Sequence, residues 1–328
     1  MPSRSGAATS HHRATFVSGH TRAMATDITI AAVNDQADDE ANLQSDVDRA
    51  LAVFRDVETE CSRFDPHSAL MQANAASTAW VSVPPRCFEA LVAAADAYRR
   101  TYGRFDPRVH DDLRRLGYER SLAFESGDVV LATPSVQRRP ELPEWKPRFQ
   151  ARRGLVHLGG YRVDLGGIGK GLAVRWAADV LRETTASFLI EAGGDCYAAG
   201  NAPDSGRWRI GIEDPMNPTE PIAVLAVSDC AVATSSVRIR KWTAGGAEVH
   251  HLIDPRTGLP GGDGLRAVTV VAADAADAEV DAKTLFLEGH LGIADTVRTA
   301  ATAACWVTTD GTATFSTALE PHLQWRRG

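Results

Sequence analysis

From Leu155 onward the chain is punctuated by glycine turns that cut it into short β-branched or apolar runs at 188–192, 208–212, 222–227, 231–233 and 266–272. Runs of this length, bounded this way, specify half-buried strands joined by tight connections. Helical patterns at 170–183, 277–288 and 293–303 interrupt them. Strands in succession with a few long helices point to an α+β fold, mostly antiparallel sheets covered on one face by helices.

The first half is more helical. A strand is expected at 23–33, after which Leu43, Val47, Leu51, Phe54 and Val57 recur at helical spacing, and a second helical pattern at 88–102 turns Leu91, Ala95 and Tyr98 inward. Residues 62–70, with Pro66 and several small polar side chains, read as turns. The segment 119–154 carries the least pattern and is expected to be a surface-hugging insertion near a boundary between two lobes. Residues 1–22 are rich in Ser, Ala, Arg and His with no apolar stretch long enough for a signal or a membrane span. They read as a disordered leader to a single domain over 23–328, in a cytoplasmic protein.

With 328 residues the chain can bury a substantial core without staples. Five cysteines without a CxxC pair speak against a disulfide framework or a zinc site. A net charge of −7 gives no basic footprint for nucleic acid or an anionic membrane, so any anion site must make its own positive field.

Such a field is offered by Val163-Asp164-Leu165-Gly166-Gly167-Ile168-Gly169-Lys170-Gly171, where a short apolar strand meets a helix through a glycine turn. Glycines let backbone N–H groups approach an anion, the helix N-terminus adds its dipole, and Lys170 adds a full charge. A tight strand-to-helix connection has the same composition. The spacing is neither the Walker A pattern nor the dinucleotide fingerprint.

Four other clusters carry polar chemistry. Gly193, Gly194 and Asp195 close an apolar strand, and Thr234, Ser235 and Ser236 end another in three hydroxyls. His250, His251, Asp254, Arg256 and Thr257 crowd around an X-Pro turn, where the two imidazoles of a strand face opposite sides. Asp274, Asp277, Glu279 and Asp281 open the late helix, either complementing its dipole or offering oxygen ligands to a hard cation.

Seven stretches in order, RAMATDITI, CSRFDPHSALMQAN, GRFDPRV, VDLGGIGKGLAV, FLIEAGGDCYAAG, AVATSS and HHLIDPRTGLP, resemble the FAD:protein FMN transferase (ApbE-type) family over nearly everything from Ala23 to Gly289. The resemblance implies a two-lobed fold related to the T-fold and FAD bound between the lobes. It also implies magnesium-dependent cleavage of the FAD pyrophosphate and transfer of FMN to a threonine of a partner protein, with AMP leaving. Met24, Asn74, Asp106, Asp164, Gly167, Lys170, Gly193 and Gly194 match positions at the flavin-nucleotide site, with Thr234, Ser235 and Arg256 toward phosphate or ribose. His251, with Asp254 nearby, matches a base or proton shuttle.

The chain departs from the family where the metal is expected. The family's late helix supplies an aspartate and a threonine that bind magnesium with a glycine-loop carbonyl, matched here by Gly169. Counting back from Leu285 and Phe286, those two positions are Glu279 and Lys283, whereas a shifted register offers Asp281 and Thr284. The ungapped reading puts the Lys283 ammonium in the cation's place. Ala25, Gly169, Arg175, Ser236 and Val237 also depart from the usual residues. These departures keep two rivals open, an FAD-binding protein without transfer and an FAD pyrophosphatase.

Overall fold

In the computed structural model, which describes residues 15–34, 40–120, 122, 124, 129–131, 137–203 and 206–327, eight strands form one sheet whose spatial order is their order in the chain. They are β1 (Thr15–Ala23), β2 (Thr26–Asn34), β3 (Ser187–Ala192), β4 (Asp195–Ala199), β5 (Cys230–Ser236), β6 (Leu265–Ala272), β7 (Ala303–Thr308) and β8 (Ala313–Phe315). Every neighbouring pair is antiparallel.

The period-two pattern decides what covers each face. Ile28, Ile30, Phe188, Ile190, Ala231 and Ala233 point into a core shared with the helices. Their alternates Val33, Cys196, Ala198, Val232 and Val271 point the other way, into a core shared with Trp208, Ile212, Ile222 and Leu225. Those last residues belong to a separate three-stranded sheet built from Trp208–Glu213, Pro221–Val227 and Leu323–Arg326. The large sheet is therefore sandwiched, with helices on one side and the small sheet on the other. Sequence patterning gave the helical cover but not the second one.

Among the described residues seven α-helices follow in order: α1 (Glu40–Cys61), α2 (Ala69–Ala75), α3 (Pro85–Arg100), α4 (His110–Arg115), α5 (Gly169–Leu181), α6 (Ala275–Phe286) and α7 (Gly289–Ala300). The expected apolar face of α1 is buried at Leu43, Val47, Leu51, Phe54 and Val57. Burying one such side chain contributes about 2 kcal/mol. Close approach of α5 to α6 rests on Gly171, because a Cβ there would lie 2.4 Å from the Ala275 carbonyl oxygen. Arg175 links the same two helices, gripping the carboxylate of Asp274 with both arms while Asp274 caps α6 by accepting from the Asp277 N–H at 3.0 Å.

The first strand starts at Thr15, earlier than the expected onset at Ala23, and pairs with β2 along its length. The rest of the expected leader, residues 1–14, lies outside the described residues, as does much of 119–136. What is described of that insertion does hug the surface, since Trp145 is buried, donates to the Leu158 carbonyl at 2.8 Å and packs edge-on against Tyr98. Among the described residues no helix is long and apolar enough to cross a membrane.

Two tight hairpins bring their tips to one end of the sheet. Met24 and Ala25 join β1 to β2 with φ of 54° and 57°, and Gly193 and Gly194 join β3 to β4 with φ of 60° and 94°. Two consecutive positive φ values match the right-handed twist of a two-residue hairpin. A Cβ on Gly193 would fall 2.1 Å from Thr26 Oγ1, so the second tip admits only glycine. Ala25 bears the strain that glycine would avoid. Ala25→Gly is expected to stabilise the protein by about 1 kcal/mol, read as a higher urea midpoint at unchanged slope.

Candidate functional site

Beside the Met24–Ala25 tip, a cleft of about 890 Å³ including its open mouth runs along α1 to the start of α5. Its walls are Met24, Glu58, Arg63, Phe64, Tyr118, Asp164, the Leu165–Gly166 turn, Gly169, Lys170 and Arg240. One end is aromatic: the Arg63 guanidinium lies 4.1 Å from the Phe64 ring centroid and 4.2 Å from that of Tyr118. A buried ion pair of Arg63 Nε with Asp164 Oδ2 at 2.7 Å, and a 2.5 Å bond to the Tyr118 carbonyl, hold that cation in place. Asp164 also shapes the glycine turn, accepting the Gly166 N–H at 2.7 Å.

The other end holds a compact charge cluster. Lys170 is the second residue of α5, and its ammonium meets the buried carboxylate of Asp195 at the start of β4, with Glu279 Oε1 of α6 at 3.6 Å. Glu279 Oε2 accepts the Gly171 N–H at 2.8 Å. A carboxylate thus already sits on the α5 N-terminus, where helix donors favour negative charge. Burial works to lower the Lys170 pKa, but Asp195 and Glu279 outweigh it and hold the group above its ordinary value. Burial, with Asp195 adding to it, pushes Glu279 up to about 7 against the opposing pull of Lys170. The Lys170 charge that the sequence assigns to a bound phosphate is committed inside the protein.

One turn along α6 from Glu279, Lys283 lies in a pocket of its own. A Cβ on Gly167 would stand 2.5 Å from its Nζ, so this glycine is what makes room for the ammonium. The Phe105 ring centroid is 5.8 Å away. The side chain is buried and has no hydrogen bond or ion pair among the described residues. Burial lowers its pKa, opposed by the nearby charges of Asp164, Glu279 and Asp106.

The acids of the shifted register are spent elsewhere. Asp281 Oδ1 accepts from Arg100 at 2.7 Å, the other arm of Arg100 takes Asp277 at 2.9 Å, and the Thr284 hydroxyl folds back on the Asp281 carbonyl at 3.1 Å. Residues two apart on a helix diverge, so Asp281 turns away from Glu279 toward α3. Among the described residues no group of three or more His, Cys, Asp or Glu side chains is arranged to hold a metal ion.

Several other expected site residues prove to brace the cleft. The buried Asn74 amide spends both of its ends on the Val163 backbone, accepting at 2.8 Å and donating at 2.9 Å, which fixes the segment that leads into the glycine turn; that segment is irregular here, not the short strand the sequence suggested. Thr234 bonds Thr269 across the sheet at 2.9 Å through its hydroxyl, and its N–H reaches Asp195 at 3.3 Å, with buried Ser235 next in the strand. Asp106 and Asp254 head two copies of one turn, Asp-Pro-Arg, in which Oδ1 accepts the arginine N–H at 2.9 Å and the guanidinium forks onto the same carboxylate. Asp106, Arg108, Pro255 and Arg256 face a second, smaller cavity of about 520 Å³, away from the main cleft.

The two imidazoles divide their roles, although only His250 lies in a strand, Ala247–His250, and His251 follows its end. His250 packs edge-on against Phe286 at 6.0 Å and accepts the Leu252 N–H at 3.3 Å. Burial pushes its pKa down to about 4. Because the unfolded imidazole binds a proton near 6.5 and the folded one does not until about 4, stability falls as pH drops through that window. The expected loss is about 2 kcal/mol after allowing for partial solvent screening, measured as a pH-dependent urea midpoint that His250→Gln flattens.

His251 turns to the Arg240 carbonyl, with Nδ1 at 3.2 Å. A carbonyl only accepts, so Nδ1 carries the hydrogen and Nε2 keeps its lone pair. Burial, then the cations Arg240 and Lys283, hold its pKa well below the ordinary value, so it is neutral at pH 7. Asp254, fully engaged by Arg256, makes no hydrogen bond or ion pair with His251 among the described residues. Sequence reasoning passed over Arg63, Arg240 and Glu58, which accepts the Met24 N–H at 2.9 Å. Arg63 stands inside a quoted stretch, but nothing in the local pattern marks Glu58 or Arg240.

The ApbE family model matches residues 24–306. A protein of Treponema pallidum (strain Nichols), named FAD:protein FMN transferase, is 27% identical over 268 residues, covering 76% of this chain and 73% of its own. A Vibrio cholerae protein of the same name is 26% identical over 277 residues, covering 77% and 75%. The ApbE protein of Thermotoga maritima shares the fold with a TM-score of 0.77 at 23% identity, over 95% of this chain and all of its own. A flavin transferase ApbE from Vibrio cholerae superposes with a TM-score of 0.72 at 22% identity, over 95% and 99%.

Proposed function

The chain belongs to the ApbE family, and from that premise we propose that it is an FAD:protein FMN transferase, cleaving the pyrophosphate of FAD and joining FMN through its phosphate to a threonine hydroxyl of a partner protein while AMP leaves. The carrying observation is the cleft itself, which pairs an aromatic end at Phe64 and Tyr118 with a glycine turn and cationic end at Gly166, Gly169, Lys170 and Arg240. A flat conjugated ring suits the first and a diphosphate the second.

The neutral Nε2 of His251 is the group available to take the proton from the incoming hydroxyl, because its low pKa leaves it unprotonated at pH 7. Asp195 and Glu279 hold the Lys170 ammonium at the base of the site, keeping the start of α5 and the tip of β3 and β4 in register. Arg175 keeps α6 seated on α5. With all five cysteines unpaired, we place the reaction in the reducing cytoplasm. The order of elements further supports reading one transferase domain that begins with β1 at Thr15, ahead of the expected start at 23, with the lobe boundary near 119–154.

Magnesium, which the resemblance implies, does not fit these side chains. Glu279 is the one carboxylate facing the glycine turn from α6, its oxygens go to the Gly171 N–H and Lys170, and an ammonium rather than an oxygen ligand stands at Lys283. A hard divalent ion needs several oxygen ligands and is repelled by a neighbouring cation. No step is assigned to a metal here, and Lys283 supplies a fixed positive charge instead. The same lysine favours a second reading, retention of FAD without transfer, because a single charge stabilises a leaving phosphate less than a divalent ion does.

Mixing the protein with FAD and a threonine-bearing acceptor, then weighing the acceptor intact, tests the reading. An added FMN mass with AMP released is expected. Release of AMP with an unmodified acceptor identifies hydrolysis instead, and intact bound FAD identifies a binding protein.

A further inference from the structure

Three cations line the main cleft, Arg63, Lys170 and Arg240, and they differ in what they already hold. Arg63 is stacked on two rings and paired with Asp164. Lys170 is paired with Asp195 and lies near Glu279. The guanidinium of Arg240 has no hydrogen bond, ion pair or ring contact among the described residues. Its backbone, by contrast, is fixed: the carbonyl receives both the His251 N–H at 3.4 Å and the His251 ring nitrogen at 3.2 Å. The neighbouring Lys241 N–H bonds the Ile239 carbonyl at 3.0 Å, tightening the bend just before the strand Lys241–Ala244.

An anion entering the cleft meets these groups unequally. To bond Lys170 it must compete with Asp195, a buried carboxylate 1% exposed that would be left without its partner. Arg63 has its Nε on Asp164 and its Nη1 on the Tyr118 carbonyl, and its remaining Nη2 is buried out of reach of the open cleft. Arg240 offers a planar fork of donors with no partner to give up among the described residues, and such a fork matches phosphate oxygens two at a time.

We propose that Arg240, and not Lys170, is the side chain that grips the anionic diphosphate of the ligand in this cleft. The inference rests on the reading of FAD as that ligand and deepens it by naming the residue that binds the phosphates. It also gives one residue two separable tasks. The side chain holds the anion, and the carbonyl of the same residue sets the tautomer of His251, so the reacting phosphate and the base are positioned from a single backbone unit. Lys170 is left a structural role in the charge cluster.

Titrating the full chain with FAD and, separately, with riboflavin, following the quenching of flavin fluorescence, tests this. Arg240→Gln is expected to weaken FAD about ten- to a hundredfold, the range for losing charge-assisted hydrogen bonds, and to leave riboflavin within about twofold. Arg240→Lys, which restores a point charge without the fork, is expected to recover part of the FAD affinity. Equal FAD affinity in wild type and Arg240→Gln overturns the assignment. So does an equal loss for FAD and riboflavin, which would mark Arg240 as packing for the ring. If wild type binds riboflavin and FAD equally, or binds neither, the reading of FAD as the ligand falls and the assignment with it; an unaltered Arg240→Gln against a tight wild type removes the assignment alone.

Discussion

Replacing Lys170 by methionine is expected to destabilise the protein by about 3–5 kcal/mol, the cost of stranding a buried charge, with any loss of FAD affinity secondary. The ammonium is what makes two buried acids tolerable: Asp195 is 1% exposed and Glu279 6% exposed, and they come from different elements. Glu279 can escape by taking a proton, since its pKa already stands at about 7. Asp195 has the Thr234 N–H as its only other described partner, at 3.3 Å. Its desolvation penalty is therefore the larger share of the loss. Adding Asp195→Asn to Lys170→Met removes the stranded charge and is expected to recover more than half of the deficit in a urea melt. A Lys170→Met variant that melts like wild type but no longer binds FAD would show instead that Lys170 is a ligand contact and that the cluster is not what joins α5 to β4.

The second large effect concerns Lys283. FAD binding by wild type is expected to stay within about twofold whether magnesium or a chelator is present, because the cation is a side chain of the protein that a chelator cannot extract. Lys283→Thr takes that charge away and leaves a hydroxyl one helical turn from Glu279, beside the space that Gly167 now keeps for the ammonium. In that variant FAD affinity is expected to fall about tenfold or more without metal and to rise again on adding magnesium or manganese. Manganese relaxation gives a readout independent of turnover, with no tight stoichiometric site in wild type and one in Lys283→Thr. Stoichiometric manganese in the wild-type cleft, or FAD turnover that stops with the chelator, would refute the substitution of lysine for metal. Gly167→Ala should disturb the same spot without changing charge, by pushing the ammonium off its seat.

The fold was legible where the physics is local. Short β-branched or apolar runs bounded by turns at 188–192 and 266–272 marked β3 and β6, and helical spacing from Leu43 to Val57 marked α1, because both signals are properties of a few consecutive residues. The missing strand β1 shows the limit. Its sequence, TFVSGHTRA, alternates weakly, and the turn that pairs it with β2 is Met-Ala rather than a glycine or asparagine pair. Without the usual turn residues the hairpin leaves no signature, and the strain is carried by packing of the finished sheet.

For the site, sequence alone determined the inventory: a glycine turn entering a helix, two adjacent histidines before an X-Pro turn, and the lysine in the late helix. Which of those charges is free to meet a ligand was decided by the tertiary structure. Lys170 finds Asp195 across 25 residues of chain, and Glu279 finds the Gly171 N–H across 108. A charge is neutralised only when folding removes it from water beside a particular partner, and that pairing depends on distances through space that no local spacing encodes. Arg240 therefore looks ordinary in the sequence, yet in the fold it is the cation of the cleft that makes no hydrogen bond or ion pair through its guanidinium among the described residues.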